Sequence, residues 1–195
     1  VARLEALNPD LVFNTAEGRL GRFREAFFPG IFEQLGIPFT GSDAYVCTLT
    51  LDKDLTKRVV RSGGVPVPRS RLALQPKDAE HTGLRFPLIL KPNYEGSSKG
   101  ITRDSIVRTA EELKVKIRAA LQSFPAGILI EEFIEGRDVA VAFIDGVSPA
   151  TGGILPPIEY VFKTDDGRYD PFQIYDYNLK NHESDKVDLR VPAAI

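Results

Sequence analysis

An α/β (α+β) fold is predicted by two observations. Apolar runs of strand length, such as Phe86 to Leu90, alternate with segments whose apolar residues recur at helical spacing. The loops between them carry Gly, Pro, Ser and Asp, and the first follows the carboxyl end of a short apolar run, where open α/β sheets bind ligands.

The elements follow in order. Asp10-Leu11-Val12-Phe13 reads as a short buried strand running into the polar loop Asn14-Thr15-Ala16-Glu17-Gly18. Phe23, Phe27, Ile31 and Leu35 keep an i, i+4 spacing, so a helix is expected there, broken or shortened by Pro29-Gly30 and capped by Gly36. Ile37 to Thr40 is a short strand and Gly41-Ser42-Asp43 a turn. Leu51, Leu55, Val59 and Val60 line one face of the next helix, which Gly63-Gly64 ends; Lys53 and Lys57 share its polar face. Val65-Pro66-Val67-Pro68 is a connector at an expected boundary, leading into an extended segment, Arg69 to Leu74.

Phe86 to Pro92 is an apolar strand that delivers Lys91 at its tip, with Ile101-Thr102-Arg103 as its return strand. Thr109 and Glu112 form a capping-box pattern, opening a helix with the apolar face Leu113, Ile117, Ala120 and Leu121. Ile128 to Ile134 and Val139 to Ile144 are two strands joined by Glu135-Gly136-Arg137-Asp138, and Ile158 to Phe162 is another. Beyond Phe162 the chain is polar, with no strong period.

Composition removes several function classes. With 25 Lys+Arg against 27 Asp+Glu in 195 residues and no basic cluster, affinity through nucleic-acid phosphates is not expected. The single Cys47 forms no internal disulfide, and two histidines with one cysteine build no ordinary Cys/His zinc site, which suits a cytoplasmic setting. No apolar run approaches the roughly 18 residues of a membrane helix, so no membrane partner is expected. Because the sequence starts at Val1 and contains no Met, a segment of a longer protein is expected.

Residues Gly96-Ser97-Ser98-Lys99-Gly100 offer unhindered backbone N–H groups, hydroxyls and a cation, the means of holding a triphosphate, although a structural hairpin tip reads the same way. The loop is accompanied by an amine on a strand end, Lys91, another on a helix, Lys53, and an acid pair, Glu131-Glu132, inside an apolar strand. Charge in such a strand is costly unless used; the alternative is that one Glu faces solvent and the other ends the strand. Asp138 could accept from sugar hydroxyls or simply occupy a turn.

In this combination the sequence resembles the D-alanine–D-alanine ligases of the ATP-grasp superfamily, almost from end to end. The resemblance is carried by Gly36-Ile37-Pro38-Phe39-Thr40-Gly41-Ser42, Leu51-Asp52-Lys53-Asp54-Leu55-Thr56-Lys57 and the run from Leu90 to Gly100. Ile130-Glu131-Glu132-Phe133-Ile134-Glu135-Gly136-Arg137-Asp138, Leu155-Pro156-Pro157-Ile158-Glu159 and Tyr175-Asp176-Tyr177-Asn178-Leu179-Lys180 extend it. It implies part of an ATP-grasp fold: the end of a Rossmann-like domain over residues 1–50, a central lid domain over 51–137, and the start of a C-terminal domain over 138–195.

The resemblance also implies roles. Lys53 and Lys91 would contact ATP phosphates, and the loop around Ser97 and Ser98 would close over them. Glu131 and the backbone of Glu132 and Ile134 would hold adenine, with Phe133 beside it and Asp138 on the ribose. Lys180, on a mobile loop, would complete the phosphate site, and Lys180 and Ser97 are the residues expected nearest the chemistry. The activity implied is ATP-dependent formation of a dipeptide through an acyl phosphate, with Mg²⁺ offsetting the repulsion between carboxylate and triphosphate.

Small-molecule amino acids are the implied substrates, peptidoglycan precursor synthesis the setting if they are D-alanine, and a homodimer the implied assembly. The family's metal ligands include a Glu-x-Asn motif, which this sequence lacks, so no residue here is expected to bind metal. Asp165, Asp166, Asp170 and Asp176 read as a solvated excursion. The chain departs from the family where Leu-His-Gly is replaced by Ala16-Glu17-Gly18 and where the loop lysine is followed by Asn181 instead of Tyr. In the family both positions lie near the amino-acid substrates, so a ligase for another amino acid is the first alternative, and a nucleotide-binding module inactive on its own is the second.

Overall fold

The computed structural model describes residues 2–163 and 172–194. After α1 (Ala2–Leu7), the expected strands around Val12 and Phe39 are reduced to one parallel bridge, in which Val12 donates to the Pro38 carbonyl at 2.8 Å and accepts from the Thr40 N–H at 2.9 Å. The helix expected from Phe23 begins only at α2 (Phe27–Leu35). Pro29 does not break it, because it falls in the first turn, where backbone N–H groups have no partner inside the helix. Gly36 caps it with a left-handed φ of 67°, as expected.

A helix not foreseen follows, α3 (Ala44–Leu51), with Asp43 as its cap accepting from the Val46 N–H at 2.7 Å. Its Thr48 and Thr50 hydroxyls donate back to the carbonyls of Ala44 and Val46, both at 2.8 Å. Leu51 therefore closes one helix, and Asp52 caps the next, α4 (Lys53–Ser62), by accepting from the Leu55 N–H. Lys53 thus becomes the first residue of α4.

One four-stranded antiparallel sheet takes the order β1-β4-β2-β3, from β1 (Ser70–Ala73), β2 (Leu88–Pro92), β3 (Ile106–Val107) and β4 (Ile128–Glu132). The return strand to β2 is Ile106–Val107 rather than Ile101-Thr102-Arg103, which falls in a loop leading to a turn of 3₁₀ helix. Between β3 and β4 lies α5 (Ala110–Ser123), whose cap Thr109 accepts from the Glu112 N–H at 3.1 Å. The Glu112 carboxylate reaches back to the Arg108 N–H.

Alternation decides what each face of this sheet does. Leu88, Leu90, Ile128 and Ile130 face α5 and pack with Leu113, Ile117 and Leu121 into the main core. Lys91, Leu129 and Glu131 lie on the other face.

Gly100 seals an edge of this core at a φ of +75°, and a Cβ there would meet the Phe124 ring at 2.5 Å and Pro92 Cγ at 2.8 Å. Gly100→Ala is expected to destabilise the protein by about 1–3 kcal/mol. Gly63→Ala, where φ is −81° and the nearest atom is an ordinary 3.4 Å away, should stay within about 0.5 kcal/mol in the same urea titration.

The two strands expected on either side of residues 135–138 do not pair. Only β5 (Asp138–Ala140) forms beyond the turn, in a second antiparallel sheet ordered β5-β6-β7 with β6 (Ile158–Phe162) and β7 (Val187–Arg190). Glu159, buried in β6, is paired with Arg137 at 3.4 Å and Arg190 at 3.1 Å. The short α6 (Tyr177–Asn181) is capped by Asp176, which accepts from the Leu179 N–H at 3.0 Å. Among the described residues no helix is long and apolar enough to cross a membrane.

Candidate functional site

The buried Asn93 brings the two expected amines together. It follows β2 directly, and its Oδ1 accepts from the Asp54 N–H at 2.9 Å, its Nδ2 donates to the Asp52 carboxylate at 2.8 Å, and its carbonyl accepts from the Lys53 N–H at 3.2 Å. The start of α4 is thereby fastened to the end of β2, which sets Lys53 beside Lys91. Burial would push the Asp52 carboxyl above its ordinary value, but hydrogen bonds from Asn93, the Leu55 N–H and Tyr94 outweigh it and hold the pKa low.

Lys53 and Lys91 line one cleft of about 450 Å³, together with Lys57, Leu129, Glu131 and the loop residues Gly96, Ser97 and Ser98. Lys53 donates to the Glu95 carbonyl. Burial and the neighbouring Lys91 cation lower its pKa, so an anion in the cleft would be welcomed. The loop is held in an uncommon shape: Ser97 and Ser98 have φ of +50° and +57°, a region costly for residues other than glycine. The Ser98 hydroxyl donates to the Tyr175 carbonyl at 2.7 Å, and Tyr177 N–H donates to the Ile101 carbonyl at 3.2 Å. The serine loop and the approach to α6 are therefore in direct contact.

Glu131 and Glu132 are both buried: Glu132 does end β4, as the alternative had it, but neither glutamate faces solvent. They serve different neighbours. Glu131 points into the cleft and pairs with Lys91 and Lys57. Glu132 accepts from the Arg85 N–H at 2.9 Å and pairs with the side chains of Arg85 and Arg69 at 3.3 and 3.5 Å. Lys57 is the cleft residue that sequence reading left without a role; its place one turn after Lys53 on α4 was the available signal.

Burial works against ionising Glu131, yet the Lys91 charge and the bonds from Lys57 and Lys91 prevail and hold its pKa below the ordinary 4.5. A carboxylate with a lowered folded pKa adds stability that is complete above its unfolded value and is lost as pH falls through the folded one. The stability advantage of the native protein over Glu131→Gln is thus expected to be complete above about pH 4.5 and to shrink as the pH falls below it, followed by thermal denaturation.

The remaining expected residues lie around the cleft instead of in its wall. Phe133 packs against Phe172 with ring centroids 5.7 Å apart, and Ile134 is exposed. Asp138 opens β5 on an exposed surface. Neighbouring atoms crowd its carboxyl and raise the pKa, while the Tyr175 backbone and the charges of Lys91 and Lys180 pull it down. Lys180 is exposed on α6, its ammonium 4.9 Å from the centre of the Tyr175 ring, which in turn packs at a tilt against Tyr160 of β6. Asn181 turns back to its own helix, donating to the Tyr177 carbonyl at 2.8 Å. Asp165, Asp166 and Asp170 lie outside the described residues. Among the described residues no group of three or more His, Cys, Asp or Glu is placed to hold a metal ion.

A second recess of about 430 Å³ adjoins the cleft and shares Glu25, Glu95, Gly96 and Ser97 with it. Asn14, Glu17, Arg24, Lys99 and Tyr177 complete much of its lining. Glu17, one of the departures from the family pattern, is here bound by Arg24 at 3.1 Å.

Residues 65–195 match the family model described as "D-ala D-ala ligase C-terminus". The chain is 35% identical to the D-alanine–D-alanine ligase of Aquifex aeolicus over 91% of its own length and 55% of the relative's. Its fold is shared with a D-alanine–D-alanine ligase from Bacillus anthracis complexed with ATP, at a TM-score of 0.66 and 23% identity, covering 97% of this chain and 56% of that one. The VanG D-Ala:D-Ser ligase from Enterococcus faecalis is 28% identical with a TM-score of 0.64, over 95% of this chain and 50% of that one. The chain spans about half the length of the curated relatives it matches.

Proposed function

Because the chain belongs to the D-alanine–D-alanine ligase family, we propose that it provides the nucleotide site of an ATP-dependent ligase that joins two amino acids into a dipeptide. Its fold is the part of the ATP-grasp fold expected from the sequence. The observation that supports the reading best is that Lys53 and Lys91 face one cleft whose mouth carries the strained Ser97-Ser98 loop.

In this reading residues 1–50 close a Rossmann-like domain, 51–137 form the lid and 138–195 open the C-terminal domain. Lys53 and Lys91 bind the phosphates, and Glu131 with the Glu132 and Ile134 backbone receives the base, flanked by Phe133. Asp138 accepts from the ribose hydroxyls. Lys180 and Ser97 act at the transferring end, where Ser98, tied to Tyr175, keeps the loop down and water out. The nucleotide, accompanied by Mg²⁺, would supply the phosphoryl group that activates a substrate carboxylate. Each lysine lowers the repulsion that this carboxylate meets on approach. A cytoplasmic setting and a homodimer belong to the same proposal.

The second recess, next to Ser97, is the place for the amino-acid substrates. Glu17 on its wall favours the reading in which the substrate differs from D-alanine. Phosphate release from ATP with a panel of D- and L-amino acids tests this. Release strictly dependent on D-alanine would leave only the first reading, release with a different amino acid supports the first alternative, and none with any amino acid supports the second, a nucleotide-binding module inactive on its own.

A further inference from the structure

We propose that Arg24 is a positioning residue that latches the loop of residues 94–98 onto the segment carrying Glu17 and Glu25, and so sets the mouth of the cleft. Its side chain is only 12% exposed and sits among three carboxylates: Glu17 at 3.1 Å, Glu95 at 3.3 Å and Glu25 at 3.8 Å. It also donates to the Tyr94 carbonyl at 2.6 Å, across 70 positions of sequence. A guanidinium offers several donors in a fixed plane, so one residue can hold backbone and carboxylates of two segments at once.

Two observations show that the loop depends on this contact. Glu95 Oε2 is buried and accepts no hydrogen bond, so its charge is offset by its ion pairs with Arg24 and with the more exposed Lys99, also 3.3 Å away. A buried carboxylate that loses such a partner must protonate or move to water. A Cβ built on Gly96 would lie 2.7 Å from Glu25 Oε1, which records how closely the loop is drawn against this segment. The consequence reaches the cleft because the Glu95 carbonyl accepts from the Lys53 ammonium. A loop that swings away takes with it the acceptor that orients Lys53.

The latch can be tested without any nucleotide, although its effect on affinity rests on the proposed nucleotide site. Hydrogen exchange is measured on the full chain for the native protein, Arg24→Ala, Arg24→Lys and Arg24→Ala/Glu95→Gln. Arg24→Ala should speed exchange about tenfold at Lys99 and Ile101, whose N–H groups donate to the loop carbonyls of Gly96 and Ser98, as expected for the loss of one charge-assisted hydrogen bond, and leave β2 and β4 unchanged. Arg24→Lys should recover part of the protection. The double variant should recover part of it, because it removes the buried charge that Arg24 offsets but still lacks the donor to the Tyr94 carbonyl. Affinity for a non-hydrolysable ATP analogue, read by calorimetry, should fall about tenfold in Arg24→Ala and recover in part in the double variant.

Unchanged exchange at Lys99 and Ile101 in Arg24→Ala, an increase spread equally over β2 and β4, or a double variant as loose as the single one would overturn the latch. If the native protein binds no analogue, the nucleotide reading fails, and the exchange comparison still decides the latch.

Discussion

Lys91→Ala is expected to weaken ATP binding by about 30-fold or more, the size of a lost hydrogen bond between charged groups. Lys77→Ala should change it less than twofold. The contrast is one of position. Lys91 lies on the cleft face of β2, beside Lys53 and against Glu131. Lys77 lies in an exposed 3₁₀ turn after β1. The first substitution also leaves Glu131 with Lys57 alone and turns the local field toward the negative, which opposes a polyanion twice over. Calorimetry with the two variants separates the cases, and equal affinities would remove Lys91 from the site.

Ile117→Ala should cost about 3–4 kcal/mol of stability and Ile117→Val about 1 kcal/mol, measured by urea denaturation. Ile117 is fully buried at the middle of α5 and packs on Leu88, Leu90, Ile128 and Ile130, so no water can fill in for a lost methylene. Val115, two residues earlier and exposed, is the control: Val115→Ala should stay within about 0.5 kcal/mol. Both Ile117 variants should keep the native nucleotide affinity in their folded fraction, because the core and the cleft occupy opposite faces of the same sheet.

That division of faces explains what the sequence disclosed. The α5 helix was legible because Leu113, Ile117 and Leu121 repeat at helical spacing behind a Thr109 cap, and both signals are local. The α3 helix was not, because its apolar residues circle the whole helix and its threonines prefer strands by propensity. The segment after Ile134 was misread for a non-local reason: nothing near residues 135–138 announces that β4 and β5 enter different sheets.

The site divides similarly. Lys53, Lys91 and Glu131 could be named from their types and motif positions, and they do line one cleft. Arg24 and Asn93 could not, since the Tyr94 carbonyl and the Asp54 N–H that they bind lie 70 and 39 positions away, where only the fold makes them neighbours; Lys57 carried a local signal, one turn after Lys53, but its partner Glu131 is 74 positions away. Glu132 shows the reverse: adjacent to Glu131 in sequence, it is committed to Arg85 and Arg69 on the other face.

In the proposed function one nucleotide is gripped by α4, β2, β4 and the serine loop together. The most direct measurement of that grip is amide chemical-shift mapping of the chain during titration with a non-hydrolysable ATP analogue. Lys53, Lys91, Ser97, Ser98, Glu132 and Ile134 are predicted to shift with a single dissociation constant, while α1 and β7 stay still. Saturable shifts confined to residues away from the cleft, or no shift at any of these six amides, would mean that the cleft is not the nucleotide site.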